Sequence, residues 1–352
     1  MRYNLLSLLY RTTRFVITKI FYFFQKIFLK PKDLEPAVKI GDKGLIFIYP
    51  LKKVIFDFDI PKNIELNIFN LRFKSPLIAS SFKSNEKIIS IWLRMGLGGA
   101  ILKTVMKNER EGNKRPRLQD VNFKGDRGII NALGLPGIGI DDFSSKLNKS
   151  HLWDFKCPIG ISIGGDSKEE YLKNILKLEK INKNNDNQYF YELNISCPNT
   201  KDGKTIGDDP HLLNQLIEQI RDQINTPISV KISPDSKNEI IQSIAEICKK
   251  FEKIIINAGN TQFKKTADVN LKSNYLSTNG GGLSGKPIFE RTLEMVSLLS
   301  PYNIPIIATG GVDNAQKVKL LKQEGAILYG MATSLVLDPY CIPKINSILK
   351  NV

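Results

Sequence analysis

Ile228-Ser-Val-Lys-Ile-Ser-Pro-Asp-Ser-Lys-Asn-Glu-Ile-Ile-Gln-Ser-Ile-Ala-Glu-Ile-Cys-Lys-Lys-Phe-Glu-Lys-Ile-Ile-Ile-Asn-Ala-Gly259 reads as a strand, a helix and a second strand. Ile228 to Ser233 is a short β-branched run that Pro234 stops, Ser236 to Phe251 carries apolar residues at helical spacing, and Lys253 to Asn257 is apolar again. Such a unit is how parallel strands are joined, because a parallel pair needs a crossover connection. The same unit recurs along the chain. Strands are predicted at Pro76 to Ser80, Ala100 to Thr104, Ile159 to Ile163, Tyr189 to Ser196, Ile228 to Ser233, Lys253 to Asn257, Ile304 to Thr309 and Ala326 to Tyr329. Helical patterns intervene at Lys168 to Ile181, Pro210 to Ile224, Pro287 to Leu299 and Asn314 to Gln323, and Asn182 to Asn187 reads as a solvated loop. No Gly-rich dinucleotide turn follows the first strand, so a closed (β/α)8 TIM barrel is favoured over an open doubly wound sheet.

Upstream of the barrel, Val54 to Phe58 and Ile64 to Ile68 read as short strands with a turn at Asn70 to Lys74, a small β-hairpin suited to floor the barrel. The first 32 residues differ from everything after them. They hold seven basic residues, Arg2, Arg11, Arg14, Lys19, Lys26, Lys30 and Lys32, and no acidic one. Arg11, Arg14, Thr18, Gln25 and Lys26 recur at helical spacing, and Phe15, Val16, Ile20, Phe23, Phe24, Ile27 and Phe28 cover the remaining surface. That describes a basic amphipathic helix. Interrupted by Lys19 and Lys26, it is too short to span a bilayer and suits the headgroup plane. Residues 1–50 are therefore read as an N-terminal extension associated with a membrane surface, and 51–352 as the catalytic barrel. Packing on its own domain and organelle targeting are the other readings of the helix.

A formal charge of +16 admits nucleic acid, anionic lipid or anionic ligands as partners. No basic stretch is interleaved with stacking aromatics, so nucleic acid is not expected. Cys157, Cys197, Cys248 and Cys341 are widely spaced and form no metal-ligand motif, which argues against zinc or an iron–sulfur cluster in this chain and for a reducing compartment around the barrel.

Barrel enzymes place their chemistry at the C-terminal ends of strands. There the chain puts Lys103 on the second strand, Asn194-Ile-Ser-Cys197-Pro-Asn199 on the fourth, Lys231 on the fifth, Asn257 on the sixth, Gly310-Gly311 after the seventh and Gly330 at the eighth. An unpaired ammonium inside an apolar strand is costly, so two such lysines point to an electron-rich ligand at the barrel mouth. Glycines on the last two strands let backbone amides approach a phosphate, and Gly280 to Gly285 adds another amide-rich segment. With Asn131, the strand-end asparagines make a four-amide cage of donors and acceptors for a cyclic imide.

These residues resemble the dihydroorotate dehydrogenase family from about Glu65 onward. The segments that carry the likeness are Gly98-Gly-Ala-Ile-Leu-Lys103-Thr, Asn108-Glu-Arg-Glu-Gly-Asn-Lys-Arg-Pro-Arg117, Ile130-Asn131-Ala-Leu-Gly-Leu-Pro136, Asn194-Ile-Ser-Cys-Pro-Asn199, Val230-Lys231, Gly281-Gly-Leu-Ser-Gly285 and Thr309-Gly310-Gly311. The resemblance implies oxidation of dihydroorotate to orotate with FMN, in pyrimidine biosynthesis. Cys197 would be the base that takes the C5 proton while hydride leaves C6 for the flavin. Asn131, Asn194, Asn199, Asn257 and Lys103 would hold the substrate. Ala79, Ser80, Lys103, Asn194, Lys231, Gly282, Gly310, Gly311, Gly330 and Met331 would hold FMN, with Lys231 facing its N1/O2 edge.

Gly137 stands where the family usually has asparagine, and Ala258 where it has Ser or Thr, which leaves room for another dihydropyrimidine. Cysteine as base and Lys103 resemble the soluble class, whereas the N-terminal extension is in character that of the membrane-bound class. A helix lying on a membrane makes quinone the expected electron acceptor, with fumarate or NAD as the alternatives and a homodimer compatible with either. A non-catalytic barrel whose basic terminus binds membrane or nucleic acid is the reading from outside the enzymes.

Overall fold

A computed structural model describes residues 2–182, 187–195 and 206–351. The barrel is the one expected. Its strands are β1 (Leu77–Ala79), β2 (Gly99–Val105), β3 (Ile159–Ile163), β4 (Tyr189–Asn194), β5 (Ile228–Ile232), β6 (Ile254–Ala258), β7 (Ile306–Thr309) and β8 (Leu328–Met331). All eight are parallel, each pairs with its sequence neighbour, and β8 closes on β1 with Met331 opposite Ala79. The strands are nearly uniformly buried because helices cover the outside and side chains fill the inside.

The floor hairpin exists, one register further along than expected. Its strands are Leu66–Ile68 and Leu71–Phe73, with Leu66 opposite Phe73. Asn70 to Lys74, expected as a turn, supplies the second strand, and the turn lies at Phe69, with φ +54°, and Asn70. Val54 to Phe58, expected as a strand, instead ends a helical turn, Lys52–Ile55, that continues from the 3-10 turn begun at Tyr49-Pro50. Proline pre-sets the first helical dihedral, and one turn is short enough for β-branched Val54 and Ile55 to be carried along.

Ile68, Leu71 and Phe73 of the hairpin pack against Ile78, Ile101, Phe190, Ile255, Ile307 and Leu328, one inward residue from each of six strands. This apolar layer closes the bottom of the barrel. Because side chains alternate across a strand, the next inward residue is two positions on. That places Ser80, Lys103, Glu192, Asn257, Thr309 and Gly330 in the layer above, joined by Lys231 from β5.

Two further features cap the open end. A four-stranded antiparallel sheet, unexpected from the sequence, joins Leu118–Phe123 and Asp126–Asn131 from the excursion after β2 to Gly280–Gly285 and Gln262–Lys265 from the excursion after β6. Helices α1 (Arg2–Ile27) and α2 (Glu35–Phe47) pack on one another beside it.

Helix α1 turns its polar stripe inward. Arg14 bonds Asp120 at 2.7 Å, Ser7 bonds Asp338 at 2.6 Å, Tyr10 donates to the Val336 carbonyl, and Thr18 is buried. Its outer face is apolar: Leu5, Leu8, Leu9, Phe15, Val16, Ile20, Phe23, Phe24 and Ile27 are exposed.

Candidate functional site

A cavity of about 1040 Å³ opens above the polar layer, between the strand ends and the antiparallel sheet. Lys103, Asn131, Asn194, Lys231, Gly282, Ser80, Gly310, Gly311 and Gly330 all line it, so most of the expected residues meet in one place. Ala79 and Met331 lie buried in the barrel wall and are not among the residues lining the cavity; the Ser80 N–H donates to the Met331 carbonyl at 2.8 Å. Cys197 and Asn199 lie outside the described residues, as does most of the Asn182 to Asn187 loop.

The two lysines differ in their partners. Lys103 sits half-buried on β2, and burial, with a smaller contribution from nearby Arg117, pushes its ammonium down to about 8. A bound carboxylate or other anion would offset that cost. Lys231 is 6% exposed; its Nζ donates to Ser81 Oγ at 2.9 Å and lies 3.9 Å from Glu192 Oε1.

The asparagines divide as well. Asn131 Nδ2 donates to the Gly282 carbonyl at 3.3 Å, which ties the two halves of the antiparallel sheet at the cavity wall. Asn194 Nδ2 donates to Thr104 Oγ1 at 2.9 Å, and its backbone carbonyl accepts from Tyr171. Asn257 differs from the expected substrate contact: it is fully buried and absent from the cavity lining, with Nδ2 donating to Glu192 Oε2 at 2.6 Å. Its Oδ1 has no partner among the described residues.

The ends of β7 and β8 form a bare cradle. A Cβ on Gly330 would lie 2.0 Å from Thr309 Oγ1 and 2.7 Å from Ser80 Oγ, and both hydroxyls are buried with no partner among the described residues. Gly311, at φ +72°, would place a Cβ 2.7 Å from that of Phe289. Only glycine fits, and glycine backbone lining the cavity beside orphaned hydroxyls suits a phosphate and a polar ring.

Residue-by-residue reading missed Glu192, Ser81 and Thr309. The signal for Glu192 was present: a charged residue within Tyr189-Phe-Tyr-Glu-Leu-Asn194 is as anomalous as Lys231 in its own strand. A second cavity, about 420 Å³ and mostly apolar, lies between α1, α2 and the barrel, lined among others by Leu6, Tyr10, Ile17, Val38, Leu45, Trp92 and Val336. Only a thin wall divides the two cavities. Phe82 faces the first and Lys83 the second, and Leu335 and Val336 line the second while Ser334 and Leu337 line the first.

A family model described as dihydroorotate dehydrogenase matches residues 63–352. The catalytic subunit of dihydroorotate dehydrogenase B (NAD(+)) of Bacillus cereus strain G9842 is 30% identical over 295 residues, covering 80% of this chain and 89% of that protein. The subunit of the same name from Bacillus anthracis strain CDC 684 is 29% identical over the same shares. Among solved structures, DHODH of Eimeria tenella in complex with ferulenol superposes with a TM-score of 0.75 at 21% identity, covering 91% of each chain. The ligand-free Eimeria tenella form gives 0.74 at 20% identity, covering 88% of this chain and 93% of that one. Residues 63–352 are 290 of 352, or 82%, so a superposition over 91% takes in at least part of residues 1–62.

Proposed function

This chain belongs to the dihydroorotate dehydrogenase family, and on that premise we propose that it oxidises dihydroorotate to orotate with FMN and passes the electrons to a quinone. The observation that carries the reading is the polar layer itself: Lys103 and Lys231 converge on one cavity whose far side is the glycine cradle of β7 and β8. FMN, when bound, supplies the hydride acceptor. Ser80, Thr309, Gly310, Gly311 and Gly330 would hold it, with Lys231 beside the ring.

The chain's own residues do the rest. Lys103 offers a partly buried ammonium to the substrate carboxylate, and Asn131 and Asn194 orient the ring, so that proton and hydride leave from fixed positions. Cys197 follows β4 directly and is assigned the proton from C5. Its thiol must ionise to act as base. Gly137 is exposed on a short ribbon opposite Arg110 and is not among the residues lining the cavity, so the missing asparagine does not obstruct it.

Support for quinone comes from the second cavity. It is apolar, abuts the first across the Phe82–Lys83 wall, and opens among helices whose outer face is exposed and apolar. Among the described residues no helix is long and apolar enough to cross a membrane, so α1 is read as lying in the interface. The Bacillus relatives carry NAD(+) in their names and favour a second reading, in which electrons leave through a partner subunit to NAD. Anaerobic titration of the purified yellow protein with dihydroorotate, then reoxidation by a quinone analogue, fumarate or NAD, tests both. Bleaching followed by fast reoxidation with quinone alone is expected. Reoxidation by fumarate or NAD in preference to quinone would overturn the acceptor, and failure to bleach would overturn the activity.

A further inference from the structure

The β4 carboxylate of Glu192 has no place in the chemistry above. It is fully buried in the middle of the barrel, and both its oxygens are engaged. Oε1 accepts from Ser81 Oγ at 2.6 Å and lies 3.9 Å from Lys231 Nζ, while Oε2 accepts from Asn257 Nδ2 at 2.6 Å. Ser81 in turn accepts from Lys231 at 2.9 Å. A charge in such a position costs several kcal/mol unless another group needs it. A layer serving only packing would be apolar, like the one directly beneath it.

We propose that Glu192 is a positioning residue: the buried counter-charge that pairs with Lys231 and, through Ser81, aims its Nζ at the cavity. The inference rests on the functional reading above, in which Lys231 stands beside FMN. Lys231 lines the cavity but is almost wholly enclosed by protein, and Glu192 is the only carboxylate within salt-bridge distance among the described residues. Glu192 is also the acceptor that fixes the Asn257 amide, because a carboxylate only accepts and must therefore face Nδ2. One anion thus orders a hydroxyl, an amide and an ammonium on three different parts of the barrel rim. Without it Lys231 keeps only Ser81 as a partner inside the barrel, and the positive charge that makes flavin reduction easier is no longer held in place.

The experiment measures the midpoint potential of the bound flavin at neutral pH in the wild type, Glu192→Gln, Glu192→Asp, Lys231→Met and the double variant Glu192→Gln/Lys231→Met. The expected pattern is a more negative potential in Glu192→Gln, of the same sign as in Lys231→Met, with no further fall in the double variant. Glu192→Asp, which keeps the charge, stays near the wild type. A potential in Glu192→Gln that is unchanged or more positive overturns the inference, as does an equal fall from Glu192→Gln when Lys231 is already absent. In both cases the functional reading survives. Protein that takes up no FMN, or a Lys231→Met variant with the wild-type potential, overturns the functional reading and this inference with it. Thermal unfolding of the apo forms separates a misfolded Glu192→Gln from a folded one, and Glu192→Asp then carries the comparison.

Discussion

Replacing Phe23 and Phe24 together with serine tests whether the outer face of α1 is a membrane surface. The two rings are 61% and 51% exposed, so each has more than half its area still to bury. Burying a whole phenylalanine side chain is worth roughly 1.5–3 kcal/mol, so the exposed part of each ring should contribute roughly 1–1.5 kcal/mol on entering the acyl boundary. The pair then amounts to roughly 2–3 kcal/mol, or a loss of roughly 30- to 150-fold in partitioning. Co-sedimentation of the full chain with anionic vesicles measures this directly. Folding should be nearly untouched, because exposed substitutions away from special features usually change stability by no more than about 0.5 kcal/mol. Lys19, Lys26 and Lys30 flank the same face, so wild-type binding should also weaken as salt is raised. Equal sedimentation of wild type and variant, or no sedimentation of either, would refute the assignment and with it the physical case for a lipid-soluble acceptor.

Three further outcomes are expected. Gly330→Ala brings a methyl group against Thr309 Oγ1 and Ser80 Oγ, and overpacking of roughly 1–3 kcal/mol should weaken FMN binding by roughly five- to 150-fold, read by the recovery of flavin fluorescence on dissociation. Cys197→Ala should keep its flavin and lose most turnover near neutral pH; near-normal turnover would remove Cys197 from its role. Glu35 ties α2 to the segment leading into the antiparallel sheet through Arg117, at 2.9 and 3.2 Å, and pairs within its own helix with Lys39, at 2.9 Å. Burial alone would raise its carboxyl, but those bonds more than offset it and hold the group at about 2, below its ordinary 4.5. A depressed carboxyl stabilises fully above its unfolded value and loses that contribution as pH falls through the folded one. Amide exchange in α2 should therefore accelerate as pH drops from about 4.5 toward about 2, beyond the intrinsic pH dependence of exchange, and Glu35→Gln should remove that excess acceleration.

The barrel was legible because its information is local. A strand buried on both faces is a short apolar run whatever it pairs with, and a crossover helix carries its own period. Lys103 and Lys231 were legible for the same reason: a charge inside such a run contradicts its surroundings. Glu192 contradicts them equally, yet its meaning depends on Ser81, just past β1, and Asn257 on β6. The antiparallel sheet was not legible at all. Gly280-Gly-Gly-Leu-Ser-Gly285 has no strand propensity, and it is extended because Ile129, Ile130 and Asn131, some 150 residues earlier, lie alongside it.

The sequence by itself determined eight buried strands, their order, and the polar side chains placed at their ends, since alternation along a strand and periodicity along a helix are properties of neighbouring residues. The tertiary structure alone decided which way α1 faces, where the hairpin turns, and which amide a buried carboxylate seizes. A helical stripe records only that two faces differ. Which face turns inward depends on distant Asp120 and Asp338, whose carboxylates draw Arg14 and Ser7 toward the body and leave the phenylalanines outside.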